Sequence, residues 1–245
     1  MVRGVSLIVF VAAWQLYAGH VSQLLLASPW QIVVAFRSMV ADGSLPGATA
    51  NSLVVLFEGF GIALVIAVPV GLSLARFAVF DWAVQPYISA LVSTPLVALV
   101  PLYVLWFGLG QEAQVAIVAS FSFFPLLLNT YHGAKNVDPA LLDVARSFSA
   151  SQLLTWRSVI VPSAIPYVAA GVNLALGHAL SGLIIAELYT NASGLGALTV
   201  KAADTFQTAQ MFAPIIVVMA LGITLMALTR GLKRKFAPWA EPVGQ

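Results

Sequence analysis

The sequence predicts an all-α membrane protein with about six transmembrane helices. Of its 245 residues, 60% are hydrophobic and only 8% are charged, far outside the averages of soluble domains. The apolar residues come in runs that approach or exceed the roughly 20 helical residues needed to cross a hydrocarbon core about 30 Å thick. Glycine and proline fall inside these runs, as membrane helices tolerate when neighbouring helices re-satisfy the backbone.

Composition also removes functions. A formal charge of +2 is too small to argue for nucleic acid, so no nucleic-acid partner is expected. The chain has no cysteine, which excludes disulfides, thiolate metal sites and cysteine nucleophiles. His20, His132 and His178 are its three histidines, and none has another at ligand spacing. No metal, redox cofactor or catalytic residue is expected.

The first run, 5–18, follows Arg3 and is short for a span. A signal peptide is the alternative, but no A-x-A site closes the run and five further spans follow, which favours a retained helix. A start upstream of Met1 stays open. Residues 19–51 are turn-rich, with one surface helix expected over Trp30–Val40. The second span is placed at 52–75, where Gly59, Ala63 and Ala67 recur every four positions and form a stripe that lets another helix approach. The third, 86–107, contains Pro95 and Pro101, so it is expected to be kinked or partly unwound and to line a cavity. The fourth is 113–129, the fifth 167–188 and the sixth 211–229. A Gly-, Ser- and Asn-rich link, 191–210, joins the last two and has a helical possibility at 198–204. The C-terminus is basic and then tail-like.

Six spans put both termini on one side. With the termini inside, nine of the eleven basic residues face the cytoplasm, leaving Arg37 and Lys201 outside. This orientation makes residues 138–162 cytoplasmic.

That stretch stands out among the apolar runs. Asp138 and Pro139 form a helix start, and Leu141, Leu142, Ala145 and Phe148 lie on one face of a helix over Pro139–Phe148. A second short helix is expected from Ser151 to Val159, so that the two meet at Ser149–Ala150 in a compact knob that needs a partner groove. The plainer reading is an amphipathic connector on the bilayer surface, which Arg146 and Arg157 would suit.

The spacing of the stretch resembles the EAA loop of bacterial ABC importer permeases: E-A-A, three residues, G, nine residues, I-x-L-P. The acid falls on Asp143, the small pair on Val144 and Ala145, the glycine on Ser149, and the closing element on Val159, Val161 and Pro162. The segments STPLVALVPLYVLWFGLG, FFPLLLNTYHG, VPSAIPYVAAGVNLALGHAL and Ala186-Glu187-Leu188 resemble the nitrate, sulfonate and taurine branch of that family, over about Ser28 to Trp239. The resemblance implies a type I importer permease in the bacterial inner membrane. It further implies a partner ABC ATPase that receives the loop, an extracytoplasmic solute-binding protein, and a second permease subunit, taken as another copy of this chain. Sulfonates, taurine or nitrate are the implied solutes, with pyrimidine-type vitamin precursors as a further option.

On this reading Asp143, Val144, Ala145, Arg146, Ser149, Ala150 and Pro162 carry the coupling to the ATPase. No G-x-x-x-x-G-K-[ST] loop is present in the sequence, so ATP would be hydrolysed by the partner. The family's glycine would suit a left-handed turn, which costs other residues about 1–2 kcal/mol. Ser149 therefore departs from the pattern where backbone geometry matters.

Candidates for the translocation path are Pro95 and Pro101 on the third span, Asn173, His178 and Ser181 on the fifth, and Glu58. Glu58 is an ionisable group inside a span and so faces a cavity or a partner. The polar residues of the fifth span lack the base and oxyanion hole of a hydrolase, and helix packing is their other use. Glu187 receives no role. A stand-alone secondary transporter or channel is the competing function.

Overall fold

The computed structural model describes residues 2–22 and 24–236. The tail expected beyond 236 lies outside them. The helices, in order, are α1 (Val2–Ala18), α2 (Pro29–Ala41), α3 (Ser44–Arg76), α4 (Ala78–Ser93), α5 (Val100–Phe107), α6 (Gln111–Lys135), α7 (Pro139–Ser147), α8 (Gln152–Thr155), α9 (Val161–Thr190), α10 (Leu195–Asp204) and α11 (Thr208–Phe236). A 3-10 turn, Leu96–Leu99, precedes α5, and a π turn, Trp156–Ile160, joins α8 to α9. No strand occurs among the described residues.

Four helical stretches are long and apolar enough to cross a membrane: Ser44–Arg76, Gln111–Lys135, Gln152–Thr190 and Thr208–Thr229. The pair Ala78–Ser93 and Leu96–Phe107 is a fifth if taken as one span bent by 92°. α1, at 17 residues, is shorter than a full span.

Local chemistry sets most boundaries. Ser28 and Gln31 form a capping box at the start of α2, with Pro29 in its first turn. Gly43 then adopts φ 80° and turns the chain directly into α3. This start lies eight residues ahead of the expected 52. Pro46 and Gly47 read as a turn in the sequence, but Pro46 occupies the first helical turn, where a missing N–H costs nothing. The third span breaks at Thr94 and Pro95, both extended. A residue before proline is driven out of the α region, so Thr94 ends α4 and the chain turns sharply. Pro101 causes no such break because it sits at the start of α5.

α6 lies between α3 and α9 and forms the packed centre with them. The small stripe on α3, Gly59, Ala63 and Ala67, is buried. A Cβ on Gly59 would sit 2.7 Å from the Val118 Cβ of α6. On the other side, a Cβ on Gly182 of α9 would sit 2.8 Å from the Phe121 ring. Leu126, Leu127 and Ala175 fill the middle together with Ala63, Ala67 and Leu74. α10 packs across α11, α9 and α3, while α2 lies on α11 and α3.

Candidate coupling surface and translocation path

α7 begins where the sequence predicted it. The Asp138 carboxylate accepts the Ala140 amide at 2.9 Å, and Pro139 takes the first helical position. The helix ends in a Schellman motif. The Ser149 amide donates to the Arg146 carbonyl at 2.9 Å and the Ala150 amide to the Ala145 carbonyl at 3.0 Å. Ser149 holds φ 53°, the left-handed conformation that glycine would occupy at no steric cost. Ser151 caps α8 by accepting the Leu154 amide at 3.3 Å.

The second helix of the knob is not a separate element, contrary to expectation. From Gln152 the chain stays helical to Thr190, through the π turn, in one stretch of 39 residues. Pro162 does not close it. Proline offers no N–H to the carbonyl four residues back, and the chain widens into the π turn immediately before it.

Asp143 and Arg146 are both well exposed and pair with each other at 3.0 Å. An exposed pair of this kind is worth under about 1 kcal/mol and exchanges partners readily. Val144 is exposed, Ala145 is buried, and Ala150 and Pro162 are half-buried. Around the pair stands a set of uncovered apolar side chains: Leu141 47%, Val144 54%, Phe148 82%, Leu153 73% and Leu154 54% exposed. Arg76, at the end of α3, steadies this region from behind. Its guanidinium lies 5.6 Å from the Trp156 ring centre and donates to the Gln152 side chain at 3.3 Å. Nearby, Lys135 of α6 bonds Asp81 of α4 at 2.6 Å, and the Tyr131 hydroxyl donates to the same carboxylate at 3.0 Å. Neither anchor was read from the sequence, because each joins residues fifty or more positions apart.

The path candidates do not share one face. Asn173 accepts the Thr229 hydroxyl of α11 at 2.9 Å and so serves helix packing. His178 and Ser181 lie on the exposed side of α9, together with Leu174. Glu58 is exposed on α3 and accepts from the Gln111 side-chain Nε2, at the start of α6, at 2.8 Å. Pro95 and Pro101 bracket the 3-10 turn, beside a groove of about 300 Å³ lined by Ile62, Ile66, Leu96, Leu99, Tyr103 and Phe123.

Glu187, which the sequence left without a role, is fully buried at the far end of α9. The Ser52 hydroxyl donates to its Oε1 at 2.5 Å, and the Gly196 amide donates to its Oε2 at 2.6 Å. Ser52 also accepts the Leu195 amide at 2.9 Å. The first two amides of α10 are thus satisfied by side chains from α9 and α3. Gly194, at φ 98°, has no room for a Cβ against the Glu187 carboxylate. Beside it, buried Gln114 of α6 donates to the Thr190 hydroxyl at 2.8 Å. A glycine pair, Gly194 and Gly196, closely following a carboxylate at a helix end was the available signal.

Residues 67–238 match the family of binding-protein-dependent transport system inner membrane components. A protein of Bacillus subtilis named as an aliphatic sulfonates transport permease, SsuC, is 33% identical over 94% of this chain and 84% of its own length. The SsuC protein of Escherichia coli is 34% identical over 94% of this chain and 88% of its own length. The taurine transport permease TauC of Escherichia coli is 27% identical over 89% and 82%. Among solved structures, the inward-facing MetNI methionine ABC transporter superposes with a TM-score of 0.66, at 17% identity, over 78% of this chain and 95% of that one. An amino acid ABC transporter superposes at 0.62, with 20% identity, over 82% and 96%. The apolar helices and these likenesses agree: the chain belongs to the binding-protein-dependent transport family, as a multi-pass, non-catalytic membrane permease of an ABC importer.

Proposed function

We propose that this permease, paired with a second copy of itself, forms the path for a small sulfonate, with residues 138–162 as the surface through which a partner ATPase drives it. Both termini lie in the cytoplasm, and an extracytoplasmic binding protein delivers the solute from the other side. The proposal is carried by the exposed apolar set Leu141, Val144, Phe148, Leu153 and Leu154, gathered around the Schellman turn at Ser149. Exposed apolar side chains on a short capped helix and on the capped start of the long helix that follows it mark an interaction site, and the aromatic among them, Phe148, is the type of residue that anchors such contacts. The sulfonate assignment rests on the names of the relatives that span nearly the whole chain.

Asp143, Val144, Arg146 and Ser149 present the contact, while Ala145, Ala150 and Pro162 shape it from beneath. Glu58, Pro95, Pro101, His178 and Ser181 are assigned to the path or to the face of the second copy; Asn173 supports them by holding α11. The experiment is Asp143→Arg in the chain co-expressed with its ATPase. Solute-stimulated ATP hydrolysis is lost while membrane insertion and yield are unchanged; loss of insertion would show that the stretch is structural. A thermal-shift screen of the binding protein encoded beside this chain, with alkanesulfonates, taurine and nitrate, names the solute. A shift with none of the sulfonates would remove that assignment.

A further inference from the structure

The helix Gln152–Thr190 runs unbroken for 39 residues, about 58 Å at 1.5 Å per residue. One end carries the proposed coupling surface. The other carries the buried carboxylate of Glu187, bound to Ser52 of α3 and to the Gly196 amide of α10. The connection from α9 to α10 is four residues, Asn191 to Gly194, and both of its ends hold positive φ, 48° and 98°.

A buried carboxylate is tolerated only while its hydrogen bonds are complete, so separating α10 from α9 exposes an uncompensated polar group on each side. The Ser52 hydroxyl closes the ring by accepting the Leu195 amide and donating to Glu187 at once. Gly194 and Gly196 let the backbone come this close, since a Cβ on Gly196 would sit 2.6 Å from the Glu187 Cβ. Gln114 adds a tie from α6 to Thr190, and its amide also reaches the Ser193 carbonyl at 3.5 Å. Three long helices and α10 therefore meet at one polar cluster inside an otherwise apolar protein.

We propose that Glu187 is a positioning residue that fastens α10 to the end of this continuous helix, so that α10 and the coupling surface move together during the transport cycle. The proposal rests on the coupling role assigned above to residues 138–162. α10 then carries to the opposite face any displacement that the ATPase imposes on the knob.

The chain has no cysteine, so single labels can be introduced at Arg157 and at Lys201, which are exposed at the inner end of this helix and on α10 respectively. The full transporter is reconstituted, and the response of each label to a non-hydrolysable ATP analogue is read. In the otherwise unsubstituted chain both labels respond. Glu187→Ala leaves the Arg157 response intact and reduces the Lys201 response by about tenfold, the size of a typical coupling between sites. Glu187→Gln, which keeps the acceptor for Ser52, restores part of it, a graded rescue that a generally damaged fold would not give. Ser52→Ala, a smaller change, gives the same loss at Lys201 and serves if the first variant fails to fold. An unchanged Lys201 response in Glu187→Ala or Ser52→Ala overturns the proposal while leaving the coupling role standing. A silent Arg157 label in the unsubstituted chain overturns both.

Discussion

Ser149 offers the sharpest test of the knob, because a single backbone angle separates the possible outcomes. At φ 53° an ordinary residue carries a steric cost of about 1–2 kcal/mol that glycine does not. Glycine loses more conformational entropy on folding, which takes back about 0.5–1 kcal/mol. Ser149→Gly should therefore stabilise the turn by a net ~0.5–1 kcal/mol, or two- to fivefold in its closed-to-open ratio. Ser149→Val should move it the other way by at least as much, since a β-branched residue is an outlier at positive φ. The readout is hydrogen exchange at the Ala150 amide, whose bond to the Ala145 carbonyl closes the motif. In detergent-solubilised protein the order of protection is Gly, then Ser, then Val. If the valine variant exchanges as slowly as the glycine variant, the left-handed turn is not what closes the end of α7.

Two further outcomes follow from surfaces already described. Phe148→Ala leaves the permease's own melting temperature unchanged, because the ring is 82% exposed, but weakens ATPase association by about 2 kcal/mol, measured by titrating the ATPase onto nanodiscs. Gly59→Ala places a methyl 2.7 Å from the Val118 Cβ and 2.8 Å from the Val115 carbonyl oxygen, so α3 and α6 must part. A loss of about 1–3 kcal/mol is expected in thermal melts. Gly61→Ala, in open space on the same helix, is the control that should not destabilise.

What could be read in the sequence was local or periodic. The apolar runs exposed the fold class, Asp138-Pro139 and Ser151 marked two caps, and the departure from glycine at 149 pointed to a turn with a real conformational demand. The small-residue stripe on α3 named the face that α6 approaches. What escaped notice depends on distance along the chain. Ser52 and Glu187 are 135 positions apart, and no window of sequence places a hydroxyl over that carboxylate. Arg76 reaches Gln152 across 76 positions, so its support of the proposed coupling surface was equally hidden. Pro46 and Pro162 misled in a related way: proline breaks helices in general, but each lies where a helix tolerates it.

The π turn at Trp156–Ile160 also acts as an angular offset. The Val161 amide bonds back five residues to the Trp156 carbonyl, so one residue more than an ordinary turn is accommodated there. Deleting a single residue between 156 and 160 would let the segment return to α-helical register. Everything before it would keep nearly the same heading, because the π turn had absorbed that residue; the same residues wound as ordinary α-helix would instead rotate it by about 100° and push it out by about 1.5 Å. The heading of the knob, and hence which neighbour it can meet, is set by the winding of this one turn.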